Sequence, residues 1–170
     1  MKTEESKMQF DLETFDSPLG QLFLASTAGA VVALEFEGFD DRMRRLLGTT
    51  RFVPSTARSD FRRRVEDYFA GDCGAVDEIP VRSLGTPFQT LVWQALRTIP
   101  ASRTATYGEL ATLIGKPAAV RAVGHANSQN PVAIIQPCHR VIGANGTLTG
   151  YAGGLHRKHW LLRHEGALLL

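Results

Sequence analysis

The chain has 170 residues, 44% hydrophobic and 21% charged, with 16 Gly and 8 Pro, an ordinary globular composition that excludes disordered, collagen-like and coiled-coil classes. No window approaches the roughly 18 consecutive apolar residues of a spanning helix, and the opening MKTEESKMQF has no secretory apolar core, so a cytoplasmic or nucleoid-associated protein is expected. The net charge of +2 hides an asymmetry: residues 1–85 hold 11 Lys+Arg against 15 Asp+Glu (−4), residues 86–170 hold 8 against 2 (+6), and all five His lie in the second part. Two modules are therefore expected, 1–85 and 86–170, the second suited to a polyanion. Ordinary charge scatter is the competing explanation.

The first module opens with β-prone segments. Phe10–Phe15, Gln21–Ser26 and Ala30–Phe36 are separated by turns at Ser17-Pro18-Leu19-Gly20 and Thr27-Ala28-Gly29, which predicts a small antiparallel meander. Apolar residues at 61, 65, 68 and 69 give a helix that Gly71 stops. The arginines at 42, 44, 45 and 62–64 read as solvated helix faces beside Asp40, Asp41, Glu66 and Asp67. The polar stretch Asp72–Gly85 is the connector.

The second module is strongly punctuated. Thr86-Pro87-Phe88-Gln89 is a capping box with Pro at the first helical position, and Phe88, Val92, Trp93 and Leu96 form one apolar face before Pro100. Thr106-Tyr107-Gly108-Glu109 is a second capping box, leading to Leu110, Leu113 and Ile114 with Gly115 as the stop. Lys116-Pro117 links to a third helix, expected to start at Pro117 and run to about Ser128. This pair is a helix-turn-helix candidate. Its second helix is faced with Ala118, Ala119, Ala122 and Ala126 apart from Arg121 and His125. Such a face allows close backbone approach to DNA, or equally to a neighbouring helix.

Pro131–Ile135 reads as a buried strand or extended segment leading into Gln136-Pro137-Cys138-His139-Arg140-Val141. A thiol flanked by His and Arg is expected to have a lowered pKa and to act as a nucleophile. Sequence neighbours in extended chain point opposite ways, so a bridging water is the natural link from Cys138 to His139. Cys73 reads as inert or plainly exposed. It lies 65 positions from Cys138 with no C-x-x-C spacing, which favours neither a disulfide nor a zinc cluster. The tail ends in an amphipathic helix capped by Gly166. Glu165, with Glu109 one of two acids in the module, is either the orienter of a catalytic His or a surface ion pair.

Pro137-Cys138-His139-Arg140-Val141, the preceding Asn130-Pro131, the Tyr151-Ala152-Gly153-Gly154 loop and the Leu161-Leu162-Arg163-His164-Glu165-Gly166 tail resemble the methylated-DNA–protein-cysteine methyltransferases, or O6-alkylguanine-DNA alkyltransferases. The resemblance covers Thr86–Leu168. It implies an α+β fold with an N-terminal small β-sheet and helix, and a mainly helical C-terminal domain holding the helix-turn-helix and the cysteine segment. It implies duplex DNA containing O6-alkylguanine, or O4-alkylthymine, as partner, with no cofactor, no metal and no obligate protein partner. Residue by residue, it makes Cys138 the alkyl acceptor and His139, oriented by Glu165, the base. Tyr107 would hold the alkylated base and protonate the leaving guanine, and Asn130 would hydrogen-bond near the cysteine. Arg121 would replace the flipped nucleotide in the duplex, with Lys116 and Ala119 also on DNA. Val141, Tyr151, Ala152 and Gly153 would line the pocket.

Three departures stand out. Gln136 replaces the usual apolar residue before Pro-Cys. Ala152 replaces a hydroxyl residue of some relatives, and residues 1–85 lack the His of an N-terminal zinc site. Two other classes compete. A Cys-dependent hydrolase would turn over, and a damage-sensing relative without repair activity carries Trp at the position of Cys138.

Overall fold

The computed structural model describes residues 8–48 and 51–168. Residues 1–7, most of the segment read for a secretory core, lie outside them. Among the described residues no helix is long and apolar enough to cross a membrane. The architecture is α+β, with a small N-terminal sheet and a mainly helical C-terminal part.

Strands β1 (Phe10–Ser17), β2 (Gly20–Ser26) and β3 (Val31–Phe36) form the expected antiparallel meander. Its first turn closes because Gly20 adopts φ +101° and its carbonyl accepts the Ser17 hydroxyl at 2.7 Å, a backbone state that favours glycine. Two elements go beyond the sequence reading. Helix α1 (Asp40–Leu47) buries Met43 and Leu47 and leaves Arg45 exposed, but Arg42, expected on a solvated face, turns inward to the buried Glu35 carboxylate. Strand β4 (Phe52–Pro54) then pairs parallel with β1. The sheet order is β3-β2-β1-β4. All six residues of β3 are buried, since α1 covers one face while α2 (Asp60–Phe69) and the cysteine segment cover the other. That explains its nearly unbroken apolar run.

In the second half, α3 (Pro87–Leu96) and α4 (Tyr107–Leu113) start at the two capping boxes, each with both reciprocal bonds formed. Helix α3 ends at Leu96, short of Pro100. Helix α5 spans Val120–Ser128. It does not begin at Pro117, because Lys116–Ala119 forms a separate turn closed by the Ala119 N–H to the Lys116 carbonyl at 2.9 Å. A two-residue ladder joins β5 (Ala105–Thr106) to β6 (Val141–Ile142), and α6 (Leu155–His164) closes the chain.

The largest core crosses residue 85. Leu22, Leu24, Leu34, Val65 and Tyr68 pack with Val132–Ile135 and Leu161. Backbone joins them too: Leu34 N–H donates to the Pro131 carbonyl at 2.9 Å, and Ala133 N–H to the Leu34 carbonyl at 3.0 Å. Pro131–Ile135 is therefore buried as expected, but it makes one bridge to β3 and forms no strand. The acidic module thus braces the segment that carries the cysteine.

Candidate active site

Ile134 takes φ +71°. A β-branched residue there costs about 1–3 kcal/mol, sustained by burial at 1% exposure. The chain emerging from it delivers Cys138 on a single 3₁₀ turn, Cys138–Arg140, where an extended segment was expected. At about three residues per turn, three consecutive side chains leave in three directions. Cys138 borders a cavity of 310 Å³, while His139 and Arg140 are buried and absent from its lining.

Behind the cysteine lies Glu165, whose side chain is fully buried. Its Oε1 accepts from His139 Nε2 at 2.7 Å, the Tyr68 hydroxyl at 2.7 Å and Arg140 Nη2 at 2.9 Å, and Oε2 accepts from Arg140 Nε at 2.9 Å. Of the two roles open to it, surface ion pair is excluded by burial. Burial alone would raise the carboxyl pKa, but His139 and Arg140 hold it down at about 2. Burial lowers the His139 pKa, against the opposing pull of Glu165, which favours a neutral imidazole. Because an ionised carboxylate only accepts, the ring proton sits on Nε2. Nδ1 then carries the lone pair, and it is buried without a hydrogen-bond partner. It is a base site.

The expected lowering of the Cys138 pKa by its sequence neighbours is not what the structure gives. Burial pushes the thiol up, opposed by a hydrogen bond from Asn130 and by the charges of Arg42 and Lys158. The reason is directional. Arg140 spends its charge on Glu165 and donates through Nη1 to the Ile99 carbonyl at 2.6 Å, so the flanking cation does not serve the sulfur.

The cavity collects Tyr107, Asn130, Cys138, Tyr151, Ala152 and Gly153 from the predicted site. Gly153 must be small, since a Cβ there would meet the Phe36 and Tyr151 rings at 2.9 Å. The Tyr107 oxygen accepts from Thr149 Oγ1 at 3.3 Å, leaving the Tyr107 proton free to donate. Val141 does not line the cavity. It is fully buried in the second core, pairs with Ala105, and its carbonyl accepts from Lys158 Nζ at 2.6 Å. Asn127 joins Tyr151 in the cavity lining, and Asn127 Oδ1 and the Tyr151 hydroxyl are buried and unpartnered.

The DNA-contact candidates lie apart, on the helix-turn-helix exterior. Lys116 and Arg121 are exposed and Ala119 is half-buried at the α5 N-cap. Ala122 shares the exposed face, whereas Ala126 is buried against the core.

Four residues were missed. Tyr68 was read only as core, although a buried phenol needs a partner for its hydroxyl. Glu35 and Arg42 form an ion pair at the cavity wall, and Arg42 also reaches the Ser128 and Asn130 carbonyls. Burial lifts the Glu35 carboxyl to about 7 despite Arg42. A lone Glu inside the apolar run of β3 was the available signal. Lys158 is buried, bridges the Val141 and Thr149 carbonyls, and is brought down to about 8 by burial. Among the described residues no group of three or more His, Cys, Asp or Glu could hold a metal ion.

Residues 87–167 match the family model described as 6-O-methylguanine DNA methyltransferase, DNA binding domain. The chain is 49% identical to a methylated-DNA–protein-cysteine methyltransferase of Salmonella typhimurium, over 93% of this chain and 96% of that one. It is 46% identical to the protein of that name from Methanosarcina acetivorans, over 90% and 96%. Among solved structures, Mycobacterium tuberculosis OGT in complex with DNA matches with a TM-score of 0.80 and 43% identity, covering 92% of this chain and 93% of that one.

Proposed function

The chain belongs to the methylated-DNA–protein-cysteine methyltransferase family, and we propose that it extrudes O6-alkylguanine from duplex DNA and moves the alkyl group irreversibly onto its own Cys138, once per molecule. The observation that carries this reading is the arrangement around Cys138. A thiol at a cavity wall is backed by a buried His139–Glu165 pair whose only free ring atom is an acceptor.

The thiol proton passes through a water to His139 Nδ1. The sulfur attacks the O-alkyl carbon, forming S–C as C–O6 breaks, and the bonding pair goes to guanine. Tyr107 gives guanine a proton, balancing the one lost by the thiol. The thioether has no water-labile bond, so the protein does not recover. Asn127 Oδ1 and the Tyr151 hydroxyl offer the polar contacts that a heterocycle would use. O4-alkylthymine is a second substrate on the same chemistry. Arg121, Lys116 and Ala119 meet DNA from the helix-turn-helix, with Arg121 filling the gap left by the extruded nucleotide from the minor groove. Labour divides between residues 86–170, which touch DNA, and residues 1–85, which brace the cysteine, in a cytoplasmic protein.

Duplex DNA labelled on the alkyl group, followed by peptide mapping, tests the reading. The label maps to Cys138 with a plateau near one group per chain, and C138A binds DNA but transfers nothing. Label on Cys73, or sustained turnover as a hydrolase would give, overturns it.

A further inference from the structure

Asn130 is 3% exposed, and so is Gln136, the residue two before the reactive cysteine. Asn130 Oδ1 accepts two hydrogen bonds, from Val132 N–H at 3.0 Å and from Gln136 Nε2 at 2.8 Å. Asn130 Nδ2 donates to the Gln136 backbone carbonyl at 2.7 Å. An amide rotated by a half-turn would set its NH₂ against two donors and its oxygen against a carbonyl, so only one orientation satisfies every group. In that orientation the second Nδ2 proton is not taken up by these bonds; Asn130 and Cys138 line the same cavity, where a hydrogen bond from Asn130 favours the thiolate against burial. From this closed ring, and resting on the alkyl-transfer reading above, we infer that Gln136 is a positioning residue. Its carboxamide locks the Asn130 amide with the NH₂ group turned to Cys138, so that the thiolate meets a fixed donor.

The other groups around the sulfur do not supply such a donor. Glu35 from β3 opposes the thiolate, while Arg42 from α1 and Lys158 from α6 favour it through charge alone. The Tyr151 hydroxyl forms no hydrogen bond, and His139 Nε2 is engaged by Glu165. Without the Gln136 donor, Asn130 Oδ1 keeps only Val132 N–H. The amide is then held by that bond and by its own donation to the Gln136 carbonyl, two anchors in place of three, and the hydrogen bond to the charged sulfur is held for a smaller fraction of the time. Hydrogen bonds to charged groups are the stronger kind, so partial loss of this one disfavours the thiolate specifically.

The test is Gln136→Met, which keeps the side-chain length and removes the donor. Wild type and variant are treated with iodoacetamide across the thiol titration, with Cys138 modification followed by peptide mass spectrometry. This probe needs no alkylated DNA, so it stands apart from whether Cys138 accepts alkyl groups in repair. The inflection of the Cys138 rate profile moves up by about one pH unit, which is roughly tenfold slower modification below it, and the high-pH plateau is unchanged. An unmoved inflection, or a uniform loss at every pH, overturns the inference, because packing alone would give either. If Q136M does not fold, the wild-type protein decides. The Asn130 side-chain NH₂ resonances shift with Cys138 ionisation, and their failure to do so overturns the same claim.

Discussion

Two arginines of the C-terminal half are held in opposite ways. Arg140 is 2% exposed, with its guanidinium paired to both oxygens of Glu165 and to the Ile99 carbonyl. Arg121 stands exposed on α5, and no hydrogen bond or ion pair to the described residues is formed by it. A buried cation must find its partners within the protein or forgo folding free energy. An exposed cation on a small-residue face needs none, because water solvates it. The first region is a finished electrostatic unit; the second, in the proposed function, is completed by DNA. Substitutions in the two regions should therefore fail in different assays.

Glu165→Gln gives the largest effect and strikes the finished unit. A neutral amide cannot hold His139 and Arg140 together, and removing one partner of a buried pair costs about 3–5 kcal/mol. Alkyl transfer slows by about 10²–10⁴, the usual worth of a positioned base, while duplex affinity changes far less. Single-turnover rates beside denaturant unfolding check both parts. A wild-type transfer rate would reduce Glu165 to a packing residue.

Arg121→Ala strikes the unfinished one. In the proposed function the alkyl carbon starts stacked in the duplex, extrusion costs a few kcal/mol, and Arg121 fills the gap, so its loss is expected to slow duplex repair on the order of 10–10²-fold. Transfer from a free O6-alkylguanine base stays near wild type, because a free base has no extrusion cost. Stability moves within about 0.5 kcal/mol, as for an ordinary surface change. Equal losses on both substrates would assign Arg121 to the fold or the pocket, and the contrast with Arg140 would collapse.

The sequence was informative about these regions to different depths. Both capping boxes and the helix-turn-helix were legible because their signals are local: Thr86 with Gln89, and Thr106 with Glu109, sit three residues apart and bond as the pattern requires. The turn at Lys116–Ala119 was missed because Pro117 is equally at home before a helix and at its first position. The electrostatics of Cys138 were misread by treating chain neighbours as spatial ones. The 3₁₀ turn sends Arg140 to Glu165, and the groups that act on the sulfur come from Asn130, Glu35, Arg42 and Lys158. Gln136, legible only as a departure, is explained by its bond to Asn130. Tyr68 and Glu165 meet across 97 positions, and no periodicity or spacing encodes such a contact.

Tyr68→Phe is the smallest and most specific break. It removes one of the four hydrogen bonds that Glu165 accepts and leaves the ring, the His139 contact and both Arg140 contacts in place. A hydrogen bond to a charged group is worth about 1.5–3 kcal/mol, so the variant is less stable by that order at neutral pH. Its transfer rate falls only a few-fold, because His139 keeps its own bond to the carboxylate. The pH dependence identifies the cause. The Glu165 carboxyl lies at about 2 in the folded protein against an ordinary 4.5. A depressed folded-state pKa contributes stability that is fully present above the unfolded value and disappears as pH falls through the folded one. A hydroxyl that donates to the ionised carboxylate favours that form, so the gap between wild type and Y68F is expected to be full above about pH 4.5 and to close toward pH 2. Arg121→Ala should show no such closure, since Arg121 pairs with no carboxylate among the described residues. Unfolding curves for the two variants across this acid range decide the matter. A Y68F deficit that persists unchanged at low pH would mean that the phenol only fills space, and the buried unit would then end at His139 and Arg140.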